Sequence, residues 1–374
     1  MDEKFPDITI NVETTRPTEY DARLRIAMQS EGPDIIQGRA GAGWIDPYAT
    51  AGAFAPLEDL VNPEMFPQVA LDLVKGSDGV IYGVPFAFQT THFMYNEALF
   101  ERLGLEEPQT WDEFYALLET LKENGVAPMY APGREAWALN ITAGILDASM
   151  LRNDFIKALQ EGEACFTDPE YVAVLERLES FAPYFQEGFS GNTTDDMVAA
   201  LALEQAGIVG YGIFGIGLMK EINPEMEVGL FLAPTGDPSL EPLVFAYPDG
   251  GYYMNAATEH PEAVRQVLEF TQTEEFGQMF VDLVGEITAV KGDYTVADNS
   301  ALQEAIGFLN ERSLDYLTWV RSPFRDGEPS LYEMLASGQQ RLYAGETTPE
   351  ELARTIQDGL NTWYGPYVEK GKCP

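Results

Sequence analysis

Flat aromatic side chains and polar side chains alternate along this sequence, and together they could bind a polyhydroxylated ring. The apolar C–H face of such a ring packs on an aromatic side chain, while its hydroxyls need amide, carboxylate or guanidinium partners. The candidate aromatics are Trp44, Phe86, Phe88, Trp137, Phe214, Tyr252, Tyr253 and Trp319, and the candidate polar groups are Gln37, Arg39, Gln89, Asn140, Asp249 and Arg321. The sequence thus supplies the chemistry of sugar recognition.

Local sequence separates some of these aromatics from ordinary core residues. Trp111 lies at the predicted start of a helix, and we assign it to packing. Trp137 follows a Pro-Gly-Arg-Glu-Ala segment that predicts a loop, where a large apolar side chain has few local partners and more often meets a ligand. Gly250 and Gly251 have two interpretations, a turn at a hinge or a close approach of the backbone to a ligand.

No group of residues singles out a catalytic centre. His92 lies in a predicted strand and His260 at a predicted helix start, so neither forms a triad. No serine lies in a nucleophile elbow, and no Cys/His spacing predicts zinc. We therefore predict no catalytic residue, no metal and no cofactor. Carboxylates are so numerous that a glycosidase pair remains an open alternative.

The charge balance is strongly acidic. The 374 residues include 61 Asp and Glu against 22 Lys and Arg, a formal net charge of -39. Such a field repels phosphate backbones and anionic lipid, so nucleic acid is not an expected partner. Acidic residues recur on predicted helix faces, and we assign the excess to solvated surface. No apolar run reaches the roughly 20 residues of a membrane span.

Two cysteines, Cys165 and Cys373, are too few for a disulfide scaffold or a thiolate metal site. They could pair in an oxidising compartment. Two unpaired thiols are the simpler interpretation, and it is the one we prefer.

Hydrophobic periodicity predicts alternating strands and helices, the pattern of an α/β domain. Residues 5–12 alternate apolar and polar side chains as a half-buried strand does. Asn96 is a predicted helix cap, and Thr110 with Glu113 forms a predicted capping box. Further strands are predicted at 34–37, 93–95, 206–214 and 228–234, and helices at 20–29, 111–122, 141–150 and 169–181.

A series of short motifs extends over nearly the whole chain. In order they are Pro33-Asp34-Ile35-Ile36, Leu57-Glu58-Asp59-Leu60, Asp78-Gly79-Val80-Ile81-Tyr82-Gly83-Val84-Pro85, Tyr95-Asn96, Thr110-Trp111-Asp112-Glu113 and Gly250-Gly251. In this order and spacing they resemble the family 1 extracellular solute-binding proteins, the group that contains maltodextrin-binding protein. One departure is Gly212-Ile213-Phe214, where the family tends to place Gly-x-Trp.

The resemblance implies a type II periplasmic-binding-protein fold, with two α/β lobes around a ligand cleft that most of the candidate residues face. The expected N-terminal lobe is 1–126 with 249–305, and the expected C-terminal lobe is 127–248 with 306–374. Family members carry a first strand and helix ahead of the segment that matches residues 5–12. We expect both upstream of Met1, preceded by a secretion signal and a lipid-attachment cysteine.

The resemblance also implies a function. A monomeric protein outside the cytoplasmic membrane, periplasmic or lipid-anchored, would capture a neutral oligosaccharide by lobe closure and deliver it to the permease subunits of an ABC importer. The few basic groups among the candidates argue against a charged ligand. The alternatives are binding of glycerol-phosphate or a polyamine and, in a different class, a carbohydrate-active hydrolase.

Overall fold

The computed structural model describes residues 4–15, 17–30, 32–237, 239–296, 300–312, 323–325 and 327–373. Strands and helices alternate along these residues, as the sequence predicts. The strands are β1 Ile35–Arg39, β2 Gly83–Pro85, β3 Ala87–Asn96, β4 Ala127–Met129, β5 Ala206–Gly212, β6 Val228–Phe231, β7 Phe245–Pro248, β8 Gly250–Met254 and β9 Ile287–Thr288.

Helices hold more of the chain than strands do. They are α1 Pro17–Ala27, α2 Ala42–Thr50, α3 Gln68–Asp72, α4 Glu97–Leu103, α5 Trp111–Glu123, α6 Ala136–Met150, α7 Asn153–Gln160, α8 Pro169–Glu179, α9 Thr194–Ala202, α10 Ile216–Ile222, α11 Pro261–Phe270, α12 Glu274–Val284, α13 Ser300–Arg312, α14 Leu331–Tyr343, α15 Pro349–Leu360 and α16 Gly365–Lys370. Within the described ranges, none of these helices has the length and apolar character needed to cross a bilayer.

Local signals set the starts of the helices that follow β3. The Asn96 side chain accepts a hydrogen bond from the Leu99 backbone N–H at 3.2 Å, which caps α4. Thr110 and Glu113 form the predicted capping box at the start of α5, each side chain accepting the other's backbone N–H. Both predicted caps are confirmed.

The chain divides into two compact units, each formed from separate stretches of sequence. Unit 1 comprises the chain up to Phe88 with Pro248–Leu283 and Ile287–Thr295, and unit 2 comprises the remainder. These limits differ from the expected lobes: residues 89–126, 284–286 and 300–305 fall in unit 2, and Pro248 falls in unit 1. Residues 89–126 do so because β3 forms its main ladders there, with β5 and β6.

Unit 1 contains an antiparallel sheet in the order β1-β8-β2. An aromatic cluster packs beside it, with Tyr253 stacked on Phe54 at 4.9 Å between ring centroids and Phe54 stacked on Tyr48 at 4.8 Å. Tyr253 lies on β8 and is fully buried, so the cluster anchors the central strand of this sheet.

Unit 2 contains a sheet in the order β4-β5-β3-β6. Its strands are almost entirely buried, which fits continuous apolar runs rather than alternation. On β3, the Phe93 ring lies 5.2 Å from Phe114 of α5 and 5.4 Å from Phe231 of β6, so the helix covers the sheet through aromatic contacts.

The prediction of a strand at residues 5–12 is wrong. The segment is irregular, and Val12 is 82% exposed. A strand needs a partner for its backbone groups and a surface on which to bury its apolar face. None of the described strands pairs with this segment, so alternation alone does not make it a strand.

The preferred interpretation of two unpaired cysteines is also wrong, because Cys165 and Cys373 form a disulfide. The bridge joins the loop between α7 and α8 to the segment after α16. Other contacts hold the same junction: Lys370 and Lys372 pair with Glu163, and the Asn361 side chain donates to the Cys373 carbonyl at 2.9 Å. The C-terminal segment is thereby tied to the body of unit 2.

We predict that the double substitution Cys165→Ser, Cys373→Ser lowers the free energy of unfolding by about 2–5 kcal/mol, since the bridge closes a loop of 208 residues and restricts the unfolded chain. Urea denaturation of wild type and variant measures the difference. Dithiothreitol should lower the midpoint of the wild type and leave the variant unchanged. Equal midpoints without reductant would contradict a stabilising bridge.

Helix α6 carries a buried acid. Asp147 is 1% exposed, and neither of its carboxyl oxygens has a hydrogen-bond partner among the residues that the structure describes. Burial raises the pKa of Asp147 well above its ordinary value of 3.8, since the surroundings do not solvate a charge. The native state therefore holds this group as the neutral acid to a higher pH than the unfolded state does.

Asp147→Asn should therefore change how stability depends on pH. Well below pH 3.8 Asp147 is protonated in both the native and the unfolded state, so its titration does not affect stability. As the pH rises from there toward the native pKa, only the unfolded state releases the proton, and the free energy of unfolding of the wild type falls by about 1.4 kcal/mol per pH unit. The variant cannot titrate there, so its stability relative to the wild type should rise as the pH increases above 4 toward the native pKa. Urea titrations at three pH values, with Asp112→Asn on α5 as control, measure this. A difference that is constant with pH would refute the prediction.

Candidate ligand-binding site

The register of β1 with β8 brings several predicted site residues of unit 1 side by side. Gln37 pairs with Tyr252, and Arg39 pairs with Gly250. Residues two apart on a strand share a face, as do directly opposed residues of antiparallel strands. Gln37, Arg39 and Tyr252 therefore present their side chains on one face, where those of Gln37 and Arg39 are exposed.

Gly250 and Gly251 allow β1 and β8 to approach closely. A Cβ on Gly250 would lie 1.9 Å from the Gly38 carbonyl oxygen, and one on Gly251 would lie 2.9 Å from the Val74 side chain. Both glycines belong to β8 rather than to a turn. Within unit 1, the close approach is therefore to neighbouring protein atoms.

An acidic residue on α1 joins two of the predicted site residues. The Asp21 carboxylate accepts from Arg39 Nε at 3.2 and 3.3 Å and from Trp44 Nε1 at 3.0 Å. Next to it, the Tyr20 hydroxyl donates to the Gln37 carbonyl. Burial, followed by the Asp21 charge, raises the pKa of Tyr20 to about 12, so this hydroxyl remains a donor.

Trp44 is half-buried, with protein partners for both its ring and its indole N–H. Its ring lies 5.1 Å from Tyr48, 5.8 Å from Phe54 and 5.4 Å from Tyr253. Its indole N–H donates to Asp21. The structure therefore places Trp44 in the aromatic cluster of unit 1.

Phe86, Phe88 and Asp249 lie where β2, β3 and β8 meet in unit 1. Both phenylalanines are buried, and the Phe86 ring lies 5.5 Å from Tyr252. The Asp249 backbone N–H donates to the Ala87 carbonyl at 2.9 Å, and its side chain is half-buried.

In unit 2, two predicted polar residues lie in the interior. Gln89 is fully buried on β3 and donates to the Glu286 carboxylate at 2.6 Å. Asn140 on α6 donates to the Tyr332 carbonyl at 2.9 Å and accepts from Gln339 Nε2 at 2.8 Å. Asn140 therefore joins α6 to α14.

Trp137 and Phe214 differ in how far their rings are packed. The predicted loop is present at residues 132–135, but Trp137 itself lies in the first turn of α6, where it is half-buried. Among the described residues no aromatic ring packs against its indole. Phe214 is half-buried after β5 and packs edge-on against Tyr211 at 4.7 Å. Of the two side chains, Trp137 is therefore the one without a described aromatic contact.

Two predicted site residues, Trp319 and Arg321, lie outside the described residues. The remaining candidates fall into two sets: those of unit 1 converge on the β1–β8–β2 sheet, and those of unit 2 lie on or after β3, α6 and β5. Trp111, which we assigned to packing, is buried, and the Arg177 guanidinium carbon lies 4.1 Å from the centroid of its ring.

Asp21 and Glu286 contact candidate residues, yet the sequence does not single them out. Each is one acid among 61, and its partner is distant in the chain, so no local pattern marks it. The only sequence feature that could have marked Asp21 is its position next to the aromatic Tyr20, on the helix that precedes β1.

The described residues include no cluster of metal ligands, and the buried histidine among them is uncharged at neutral pH. No group of three or more His, Cys, Asp or Glu residues there could hold a metal ion. His92 is fully buried on β3, with Nε2 2.8 Å from the Thr90 hydroxyl, and burial lowers its pKa to about 3. Its imidazole is therefore neutral at physiological pH.

Comparison with known proteins identifies the family. The family described as bacterial extracellular solute-binding protein matches residues 2–278, which is most of the chain. This chain belongs to that family.

Among individual relatives, the multiple sugar-binding protein of Streptococcus mutans serotype c is 26% identical over 219 residues, which are 57% of this chain and 52% of the relative. The chain spans about half to two thirds of the length of the first curated relatives that it matches.

Solved structures confirm the fold. The bacterial solute receptor AcbH, described as preferring β-D-galactopyranose, superposes with a TM-score of 0.77 at 21% identity, over 93% of this chain and 89% of that one. The binding protein RafE, solved in complex with raffinose, superposes with a TM-score of 0.72 at 21% identity, over 96% and 93%. The fold is that of the type II periplasmic binding proteins.

Trp137→Ala should weaken binding of the sugar ligand expected from the sequence by about 1–3 kcal/mol, the scale of removing an aromatic ring that stacks on a ligand. Isothermal titration calorimetry measures the affinity, and circular dichroism shows whether the fold survives. Phe185→Ala is a matched control, since that ring packs on Tyr343 and Phe189 inside unit 2. Unchanged affinity in folded Trp137→Ala would assign the indole to packing.

Proposed function

We propose that this protein binds a neutral sugar, of oligosaccharide size, and delivers it to the permease subunits of an ABC importer. The observation that carries the proposal is the register of β1 with β8, which sets Gln37, Arg39 and Tyr252 on one face of the unit 1 sheet. Amide, guanidinium and phenol groups together can donate to and accept from sugar hydroxyls and cover an apolar ring face.

Family membership and relatives support this choice of ligand. The three relatives named above are described by their binding of sugars, of galactopyranose and of raffinose. Glycerol-phosphate or polyamine binding remains a rival, as does a carbohydrate-active hydrolase. An anionic ligand would meet the Asp21 carboxylate beside Arg39, which disfavours a phosphate there.

The disulfide supports a site of action outside the cytoplasm. Disulfides persist in oxidising compartments and are rare in the cytosol. The Cys165–Cys373 bridge therefore fits a protein that works in a periplasm or attached by lipid to the outer face of the membrane. The same family resemblance underlies our proposals that it acts as a monomer and that capture occurs by lobe closure.

A thermal-shift screen tests the proposal with galactose, raffinose, maltotriose and other neutral mono- to tetrasaccharides, beside glycerol-3-phosphate and spermidine. A sugar at 100 times its dissociation constant should add about 2.7 kcal/mol to native stability. Chromatography after long incubation should return the sugar unchanged, and small-angle scattering should show compaction with it. The proposal is overturned if only glycerol-3-phosphate or spermidine stabilises the protein, or if none of the compounds does. Cleavage products of the sugar would favour the hydrolase.

A further inference from the structure

Asp21, Arg39 and Trp44 form a connected polar group in unit 1. Arg39 Nε and Trp44 Nε1 both donate to the Asp21 carboxylate, at 3.0 to 3.3 Å. Two secondary-structure elements and a strand end meet here, since Asp21 lies on α1, Trp44 on α2 and Arg39 at the end of β1. Such a convergence fixes the position of the carboxylate.

The two donors differ in exposure. Trp44 belongs to the aromatic cluster with Phe54 and Tyr253, so its indole N–H is a fixed donor that approaches from the protein side. The side chains of Asp21 and Arg39 are 42% and 44% exposed. The Trp44 indole N–H thus orients the Asp21 carboxylate from the protein side. Part of this carboxylate and part of the Arg39 guanidinium remain in contact with solvent.

An ionised carboxylate has about four acceptor positions, and a guanidinium has five donors. An adjacent pair therefore offers acceptors and donors side by side. Neighbouring hydroxyls on a sugar ring each donate one hydrogen bond and accept others, so the pair complements a diol. A carboxylate acceptor also selects against anionic ligands and in favour of hydroxyl donors.

The position of the pair adds a second argument. Arg39 lies on the same face of β1 as Gln37, and Gln37 is opposite Tyr252. Tyr20, beside Asp21, donates through its hydroxyl to the Gln37 carbonyl and covers that part of the strand edge. Arg39 therefore joins Asp21 to the end of the face on which the proposed function rests, while Trp44 packs against Tyr253 on the opposite face of the sheet.

We propose that Asp21 is a ligand-binding residue of unit 1, accepting a sugar hydroxyl next to Arg39, and that Trp44 is a positioning residue that orients the carboxylate rather than a surface on which a sugar ring stacks. This inference rests on the proposed function. The group that Asp21 and Arg39 would bind is a vicinal diol of a neutral sugar.

The test measures affinity and stability separately, with the neutral sugar that gives the largest thermal shift in the screen above. Asp21→Asn should weaken binding about 10- to 100-fold, because a charge-assisted hydrogen bond is removed. Trp44→Phe keeps an aromatic ring in the cluster but removes the indole N–H together with one of the two fused rings, so it should weaken binding several-fold. Calorimetry gives the affinity, and thermal denaturation gives the stability.

Asp59→Asn is the matched control, because Asp59 forms a similar exposed pair with Arg265 in unit 1, at 2.9 Å. It should leave affinity unchanged. If Asp21→Asn lowers the melting temperature while affinity remains at the wild-type value, Asp21 is structural and the inference is overturned. If the wild type binds no sugar, the proposed function fails, and the inference fails with it.

Discussion

The close approach of β1 and β8 is the constraint on which the rest of unit 1 depends. A Cβ at Gly250 would lie 1.9 Å from the Gly38 carbonyl oxygen, so a larger residue there would force the strands apart. A shift of register by one residue would move every side chain to the opposite face. The glycines therefore help to keep Gln37 and Arg39 beside Tyr252, which places polar groups of distant sequence on one surface.

The aromatic residues of the protein serve two different purposes. Trp44 and Tyr253 pack against other rings beside the sheet of unit 1, and in our proposal their contribution to recognition is indirect. Trp137 has no aromatic neighbour among the described residues and stands at the first turn of α6. We therefore propose that recognition in unit 1 uses charge-assisted hydrogen bonds and that unit 2 offers the Trp137 indole.

Structure that is set locally could be predicted from the sequence, and structure that depends on distant partners could not. The caps at Asn96 and Thr110 involve residues three apart, so the sequence alone predicts them. The strand at residues 5–12 lacks a partner among the described strands, and no local pattern can reveal that. The Cys165–Cys373 bridge and the contacts of Asp21 depend equally on long-range packing, and the sequence leaves both open.

The disulfide also bears on the order of events during biosynthesis. Cys165 precedes its partner by 208 residues, and a polypeptide emerges from the ribosome starting at its N-terminus. The β4-β5-β3-β6 sheet and helices α8 to α15 are all synthesised before Cys373. The bridge can therefore form only after the residues of all these elements have been synthesised. Until then, the Cys165 thiol must remain available for its late partner.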